Sequence, residues 1–351
     1  MLKKTTLFFM GMFLAVFVGI VLYVNANRPR ILILHSYSDD YVWTKEINVG
    51  LQRILDSESW MDIRYHEMKT KKHSGKDYLR RSAVAANKAI ETIRPNVLIA
   101  VDDYAQKLVA KHFVNSADID IVFAGINGSI KPYGYDTATN VTGILERKPA
   151  SALKEVISLL SSAANAQTPV AFQGTPRVLF LADSSHSTER DADYLKTFNW
   201  SPIDYLGVKA VATFPQWQEA VLALKGHTDF LLVGGYRKLH TTSDPQSPFV
   251  KAREVMRWTE QNSPIPVIGM NIFNSEEGAM LSVGVSPYEQ GEVAATMALD
   301  IIRNKIDPSA IPVRTSSQYV ISIRQSALDR RKIVVPDIFE AFARATDNYF
   351  E

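Results

Sequence analysis

Short apolar runs alternate with amphipathic stretches through the first third of the chain. Apolar residues at helical spacing mark helices, and continuous aliphatic runs mark strands that are covered on both faces. The pattern predicts strands at Ile31–Leu34, Asp62–Met68, Val97–Val101 and Ile119–Ala124. Between them it predicts helices at Thr44–Leu55, Lys76–Ile93 and Tyr104–Phe113. Such alternation is typical of a parallel sheet with right-handed crossovers.

A second series of the same kind follows a polar break at 163–176, which is predicted to be a surface loop. Its predicted strands are Val178–Ala182, Val208–Thr213, Phe230–Val233 and Pro266–Met270, and its helices are Glu189–Phe198, Trp217–Leu224 and Val250–Gln261. The final part predicts a strand at Met280–Val285, a helix at Glu289–Asn304, two short strands within Ile311–Ile323 and a helical tail at Asp337–Tyr349. The sequence therefore predicts an α/β fold with two doubly wound parallel-sheet lobes.

The N-terminus predicts export of the chain. Lys3 and Lys4 precede an uncharged apolar run, Leu7–Tyr23, and Val24-Asn25-Ala26 resembles a small-residue cleavage site. This order is typical of a secretory signal peptide. Two outcomes stay open, cleavage after Ala26 or retention as a signal anchor. We expect the rest of the chain to be periplasmic, either soluble or tethered to the inner membrane by residues 7–23.

Composition excludes several functions. The net charge is +2, from 39 basic and 37 acidic residues, which argues against nucleic acid as a partner. The chain has no cysteine, so disulfides, thiolate metal sites and a cysteine nucleophile are excluded. Its seven histidines are scattered, and it carries neither a nucleophile elbow nor a P-loop nor a zinc-protease motif. We therefore predict no enzyme activity, no metal and no cofactor, although adjacent carboxylates at Asp102 and Asp103 are a pair that could do acid–base chemistry.

Polar and aromatic residues follow the predicted strands, where ligands bind in open parallel sheets. The residues that follow strands are His35–Trp43, Asp102–Tyr104, Gly125–Gly128, Asp183–Ser187, Gly234–Arg237 and Gly269–Asn271. Hydroxyls, amides and carboxylates beside aromatic rings are typical of a small-molecule pocket. Each residue also has a structural alternative: Asp103 and Thr44 could be helix N-caps, Tyr41 and Trp43 could pack against the lobe, and Asp183 could turn the chain.

Several stretches in order carry a family resemblance across 30–336. They are HSYSDDYVWTKEINVGL (35–51), MKTKK (68–72), RPNVLIAVDDYA (94–105), IVFAGIN (121–127), NVTGILE (140–146) and YEQGEVAATMALDIIRNKIDPSAIPV (288–313). Together they resemble the periplasmic substrate-binding proteins of ABC transporters, in the branch that includes aromatic amino-acid binders and sensor domains of histidine kinases.

The resemblance implies a type I periplasmic-binding fold whose lobes close by hinge motion around a ligand. It implies a first lobe from 28–146 plus 286–336 and a second lobe from 147–285. The sequence pattern adds a signal peptide or anchor at 1–27 and a helical tail at 337–351. The implied ligand-binding residues in the cleft are Ser36, Tyr37, Tyr41, Trp43, Asp102, Asp103, Asn127, Asp183, Ser184, Tyr236 and Asn271.

Two departures from relatives bear on the ligand. Ser38-Asp39-Asp40 stands where many relatives have a small turn such as His-Pro-Gly, and Asp102-Asp103 stands where aromatic amino-acid binders commonly have Gly-Thr. Neighbouring carboxylates repel an anion and attract a cation. We therefore expect a small polar ligand with a cationic group, such as an amine or an amino-acid derivative, stacked on Tyr or Trp.

Three functions compete at this point. The first is delivery of a solute to an ABC permease, the second is a sensory module that signals to a membrane receptor or kinase, and the third is an enzyme. A cleaved signal favours the first and an uncleaved anchor slightly favours the second, while no motif supports the third.

Overall fold

A computed structural model describes residues 2–73, 75–162 and 174–351. The helices are α1 Leu2–Ala26, α2 Val42–Leu55, α3 Lys76–Ile93, α4 Asp102–Leu108, α5 Ala150–Ser161, α6 His186–Thr197, α7 Phe214–Leu222, α8 Ala252–Asn262, α9 Phe273–Glu277, α10 Pro287–Ile302, α11 Gln325–Arg331 and α12 Asp337–Ala345. The strands are β1 Arg30–His35, β2 Asp62–Glu67, β3 Val97–Val101, β4 Asp120–Ile126, β5 Val141–Leu145, β6 Arg177–Asp183, β7 Asp204–Val211, β8 Phe230–Val233, β9 Val267–Gly269, β10 Leu281–Val285, β11 Arg314–Thr315, β12 Tyr319–Arg324 and β13 Tyr349–Phe350. Most of the predicted loop at 163–176 lies outside the described residues.

The chain divides into two α/β lobes, which confirms the predicted fold class. The first lobe contains residues 1–144 and 287–314, and the second contains 145–286 and 315–351. Both have an open sheet whose inner strands, such as β3 and β8, are buried, with helices packed against it, as continuous aliphatic strands require.

The first lobe is built on a sheet of order β11-β5-β4-β3-β1-β2, in which β1 pairs in parallel with both β2 and β3. Its core includes β1, β3, α2 and α10. Two glycines allow α2 and α10 to pack closely. A Cβ on Gly50 would lie 2.2 Å from the Tyr288 carbonyl oxygen, and one on Gly291 would lie 2.2 Å from that of Ile47. Larger residues at either position would force the two helices apart.

The second lobe has a sheet of order β13-β12-β10-β9-β8-β6-β7. Strands β6 to β10 pair in parallel, but β12 runs antiparallel to β10, and β13 is parallel to β12. Its core lies on both faces of this sheet, and Phe339 and Ala343 of α12 belong to it.

This division differs from the expected lobe boundaries at the C-terminus. Residues 315–336 were assigned to the first lobe and 337–351 to a separate tail, whereas both lie in the second lobe. The cause is the pairing of β12 along all of β10 and the burial of one face of α12 beside them. Short, loosely alternating strands carry little information on their pairing partner.

Neither Thr44 nor Asp103 is a helix N-cap, and one predicted helix is divided. Helix α2 begins at Val42, so Thr44 lies buried within its first turn, and α4 begins at Asp102, so Asp103 is not its N-cap. The predicted helix Tyr104–Phe113 is divided into α4 and a 3₁₀ turn at Ala110–Phe113, because Val109 leaves the helical region. The N-terminal helix α1 exposes apolar side chains from Phe9 to Tyr23. By length and hydropathy, none of the described helices qualifies as a membrane span.

The place of α12 in the second lobe gives a stability prediction. Phe339 is 7% exposed in the core, whereas Phe342 on the same helix is 39% exposed. We expect Phe339→Ala to lower the free energy of unfolding by about 3 kcal/mol, because it leaves a cavity. Phe342→Ala should cost less than about 1 kcal/mol. Urea unfolding followed by the fluorescence of Trp200 and Trp217 measures both, and equal effects would show that α12 is not part of this core.

Candidate ligand-binding site

The first lobe has a topological switch point between β1 and β3. From β1 the chain moves outward to β2, and from β3 it continues to β4 and β5 on the opposite side. The loops that follow β1 and β3 therefore separate and leave a crevice at the carboxyl ends of these strands, the usual ligand position in open α/β sheets. Both loops were predicted to carry ligand-binding residues.

Ser36 joins these two strand ends. Its hydroxyl donates to the carbonyl oxygen of Val101 at 2.7 Å and accepts from the backbone N–H of Ala105 at 2.8 Å. Its carbonyl oxygen accepts from both the N–H and the hydroxyl of Thr70. The side chain is fully buried. These contacts give Ser36 a positioning role, since its hydroxyl is occupied within the lobe.

Asp102 is the buried carboxylate of the crevice. It is 3% exposed and has a left-handed backbone with φ of 65°, which asparagine and aspartate tolerate better than most residues. The indole Nε1 of Trp43 donates to its Oδ1 at 3.0 Å. Behind it lies Gly125, with φ of 70°, where a Cβ would approach that oxygen to 2.8 Å. The N–H of Gly125 donates to Gln290 Oε1 of α10 at 2.8 Å, which fixes this turn.

Asp103 and Asn127 lie at the half-buried rim. The Tyr133 hydroxyl donates to Asp103 Oδ1 at 2.8 Å, and the Asn127 amide donates to the Gly125 carbonyl oxygen at 3.5 Å. Tyr133 was missed by the sequence analysis, because it follows β4 in a 3₁₀ turn rather than directly at the strand end. Its sequence signal is the KPYGY stretch, in which Pro132 and Gly134 mark a turn with aromatic residues.

The loop after β1 presents two tyrosines beside a lysine. The rings of Tyr37 and Tyr41 are 5.5 Å apart at an angle of 87°, and Lys71 Nζ lies 5.0 Å from both ring centroids. Lys72 forms an ion pair with Asp40, whose pKa is lowered by hydrogen bonds from Lys72 and Ser38. The loop after β1 thus presents two half-buried aromatic rings in contact with a cation.

His35, the last residue of β1, adds no charge at neutral pH. It is 1% exposed, and burial lowers its pKa to about 4, although Nε2 lies 2.7 Å from Asn48 Oδ1. Desolvation outweighs that hydrogen bond. The imidazole packs parallel to the Tyr65 ring, with 6.4 Å between their centroids.

The second lobe repeats the switch point between β6 and β8, and Asp183 joins the two strand ends. Its backbone N–H donates to Gly235, and its Oδ2 accepts from the N–H of Lys238 at 3.0 Å. Its Oδ1 accepts from the Ser185 N–H and the Thr188 hydroxyl, which fixes the first turn of α6. Asp183 is 2% exposed and positions the loops, whereas the adjacent Ser184 is exposed.

Tyr236 lies in the core rather than at the surface of a site. It is fully buried against Trp217, its hydroxyl donates to Glu277 and accepts from Asn274 Nδ2, and burial raises its pKa well above the usual value. The prediction that Tyr236 contacts a ligand conflicts with this environment. Its position directly after a strand and a Gly-Gly pair suggested exposure, but its side chain turns back between α7 and α9.

Asn271 lies beside a lysine that the sequence analysis missed. Asn271 is half-buried and donates to the Gly234 carbonyl oxygen at 3.1 Å, which joins the ends of β8 and β9. Its Oδ1 accepts from Lys148 Nζ at 2.6 Å, and Lys148 is also 3.5 Å from Asp191 Oδ2. Lys148 is 9% exposed, and burial raises the pKa of Asp191 despite this cation. Lys148 follows β5 along the chain, so only the tertiary structure brings it to Asn271 at the end of β9.

These residues belong to two lobes, and each lobe has polar side chains at the switch point of an open sheet. This arrangement defines the class of protein. Over the described ranges, no group of three or more His, Cys, Asp or Glu side chains could hold a metal ion. The arrangement provides binding groups, namely carboxylates, amides, a buried lysine and aromatic rings, as in a small-molecule binding protein.

Comparisons with known proteins agree with this class. The family model described as ABC transporter substrate binding protein matches residues 246–346. A ligand-free, open substrate binding protein with adhesive properties from Clostridium difficile is 16% identical, with 92% of this chain and 98% of that chain covered and a TM-score of 0.64. An ABC domain in complex with L-Trp from Streptococcus pneumoniae is 15% identical, with 90% and 98% covered and a TM-score of 0.56.

A conserved domain protein from Vibrio cholerae is 15% identical, with 93% of this chain and 100% of that chain covered and a TM-score of 0.58. No curated protein gives a significant sequence match. The chain therefore has the type I periplasmic-binding fold, and its predicted resemblance to ABC-transporter substrate-binding proteins is confirmed.

The approach of Gly125 to Asp102 gives a second prediction. Gly125 and Gly134 have similar φ values, 70° and 75°, but a Cβ on Gly134 would contact nothing within 4 Å. We expect Gly134→Ala to lower the free energy of unfolding by about 1 kcal/mol, because a residue with a Cβ is strained in the left-handed region. Gly125→Ala should cost at least about 1 kcal/mol more, since its Cβ displaces the Asp102 carboxylate. Denaturant unfolding and the Trp43 indole N–H resonance measure both effects. An unshifted resonance in Gly125→Ala would contradict the contact.

Burial of neutral His35 gives a third prediction, on pH. The unfolded chain binds a proton near pH 6.5 and the folded chain only near pH 4, so the free energy of unfolding should fall as pH decreases between these values. The loss amounts to up to roughly 3 kcal/mol. His35→Gln should flatten this dependence when urea unfolding is measured across the range. Burial also lowers the pKa of half-buried His66, so His66→Gln measures its share. An unchanged slope in His35→Gln would refute the assignment.

Proposed function

We propose that the protein is an exported solute-binding protein of an ABC-type transport system. It binds a small polar molecule with a cationic group and delivers it to an inner-membrane permease. The observation that carries the proposal is the pair of carboxylates at the first lobe's switch point, which accept hydrogen bonds from Trp43 and Tyr133.

The donors to both carboxylates support a cationic ligand. Trp43 donates an indole N–H to Asp102, and Tyr133 donates a hydroxyl to Asp103. The Tyr133 hydroxyl is a neutral donor, so its hydrogen bond orients the Asp103 carboxylate without cancelling its charge. In the described part of the chain, Asp103 forms no ion pair. An ammonium group at this position gains a charge-assisted hydrogen bond, which is stronger where water is excluded.

The second lobe supports a ligand that also carries an anionic group. Lys148 is a nearly buried cation at the strand ends, and its nitrogen is oriented by Asn271 and Asp191. The pneumococcal domain of the same fold is in complex with L-Trp, which has both an ammonium and a carboxylate group. We therefore propose amino-acid derivatives as the first ligands to test.

A sensory module that signals to a membrane receptor or kinase is the alternative. The observation that favours it is the apolar exposed surface of α1 between Phe9 and Tyr23, which would suit a retained anchor. N-terminal sequencing of the exported protein separates the two: cleavage after Ala26 favours transport, and an intact α1 favours sensing.

The ligand itself gives the fourth prediction. Native mass spectrometry of the protein purified without denaturation should show an adduct, and unfolding should release a molecule with a cationic group. By calorimetry with that molecule, Asp103→Asn should bind it about 10- to 100-fold more weakly, since hydrogen bonds to charged groups contribute about 1.5–3 kcal/mol.

Asp136 is the matched control, because it is an exposed carboxylate in the turn that follows Tyr133. Asp136→Asn should leave the affinity unchanged. An anionic or uncharged ligand would overturn the proposed chemistry, as would equal affinities of wild type and Asp103→Asn. A protein without any adduct, whose melting temperature no metabolite raises, would overturn solute binding, because a ligand that prefers the folded state stabilises it.

A further inference from the structure

The loop after β1 forms an aromatic corner that already contains a cation. The rings of Tyr37 and Tyr41 meet edge to face, and the ammonium of Lys71 is equidistant from both, 5.0 Å from each centroid. A cation within about 6 Å of a ring centroid is attracted to the negative face of the ring. We call these two rings the tyrosine corner.

Lys71 differs from the lysines on either side of it. Lys69 lies 3.7 Å from a Glu67 carboxylate oxygen, and Lys72 pairs with Asp40. Within the described ranges, Lys71 makes no ion pair with a carboxylate, and its side chain is exposed. Its ammonium therefore contacts the two rings, and an exposed cation–π contact is weak enough to be exchanged for another cation.

We propose that the tyrosine corner is a cation-binding subsite and that Lys71 is its internal occupant, which a cationic group of the ligand displaces. This inference rests on the proposed function, which gives the ligand a cationic group, and it adds a second contact for such a group besides Asp103. The two half-buried rings offer a site for a methylated or otherwise poorly hydrated ammonium, which loses little hydration on contact with aromatic faces.

Internal occupancy lowers the apparent affinity for the ligand. Only molecules whose corner has been vacated by Lys71 are competent, so the apparent dissociation constant rises as the competent fraction falls. An exposed cation–π contact of the usual strength corresponds to about a two- to five-fold effect. Removal of the ammonium should therefore tighten binding by this factor, an unusual direction for a mutation in a binding site.

The test uses tetramethylammonium chloride as a probe, titrated into full-length protein while the ring resonances of labelled Tyr37 and Tyr41 are followed by NMR. Lys71→Met removes the charge and keeps the chain length, and it should bind the probe two- to five-fold more tightly than wild type. Lys71→Arg retains a cation and should resemble wild type. Tyr37→Ala with Tyr41→Ala should abolish the probe's binding when it is measured by calorimetry.

Lys76→Met is the control for net charge, because Lys76 is an exposed lysine at the start of α3. It should leave the probe's affinity unchanged, so an equal gain in this variant would attribute the effect to long-range charge and overturn the inference. Equal affinities of wild type and Lys71→Met, or no shift of either tyrosine in both proteins, would also overturn it.

The failure of this inference can be distinguished from failure of the proposed function. Asp103→Asn is measured with the released ligand and does not depend on Lys71. If that variant weakens binding while Lys71→Met has no effect, the proposed function stands and the tyrosine corner does not bind the cation. If Lys71→Met binds the probe more tightly while Asp103→Asn leaves the affinity for the ligand unchanged, the corner is a cation subsite and the role given to Asp103 is wrong.

Discussion

Both lobes depend on one constraint, the joining of the first and third strand ends at the point where an open sheet changes direction. The parallel strands separate there, and backbone groups lose their ladder partners. Ser36 in the first lobe and Asp183 in the second supply the missing hydrogen bonds through a buried side chain. Each occupies the position directly after, or at the end of, its strand. The crevice beside each of them exists because these bonds hold the loops in place.

The same constraint separates positioning residues from residues available to a ligand. At the ends of β1 and β6, a buried polar residue is used by the fold, and side chains further along the loops lie at the rim. In the first lobe the Ser36 hydroxyl is buried and occupied by hydrogen bonds within the lobe, whereas the side chains of Tyr37 and Asp103 are half-buried. In the second lobe the Asp183 carboxylate is buried and occupied by hydrogen bonds within the lobe, whereas Ser184 is exposed. A polar residue after a strand thus indicates a site, but the residue's own role depends on its contacts.

Charge follows a different distribution in the two lobes. The first lobe has carboxylates that accept from neutral donors, and the second has a lysine that is held by an amide and a carboxylate. The buried histidine at the end of β1 contributes no charge at neutral pH, because desolvation opposes its protonation. The ammonium of Lys71 lies 5.0 Å from the centroids of both Tyr37 and Tyr41, which is why its relation to these rings bears on ligand affinity.

Apolar periodicity by itself determined the α/β class, the two lobes and most strands, because parallel strands buried on both faces need aliphatic runs. It also indicated the loops that carry the site, because ligand positions follow from strand ends in this fold class. The tertiary structure decided what local sequence does not encode. It assigned β12 to the second lobe through pairing with β10, turned Tyr236 into the core, and brought Lys148 to Asn271 across 123 residues of sequence. Strand partners and side-chain burial depend on contacts between distant segments, and such contacts leave no periodic signal in the segments themselves.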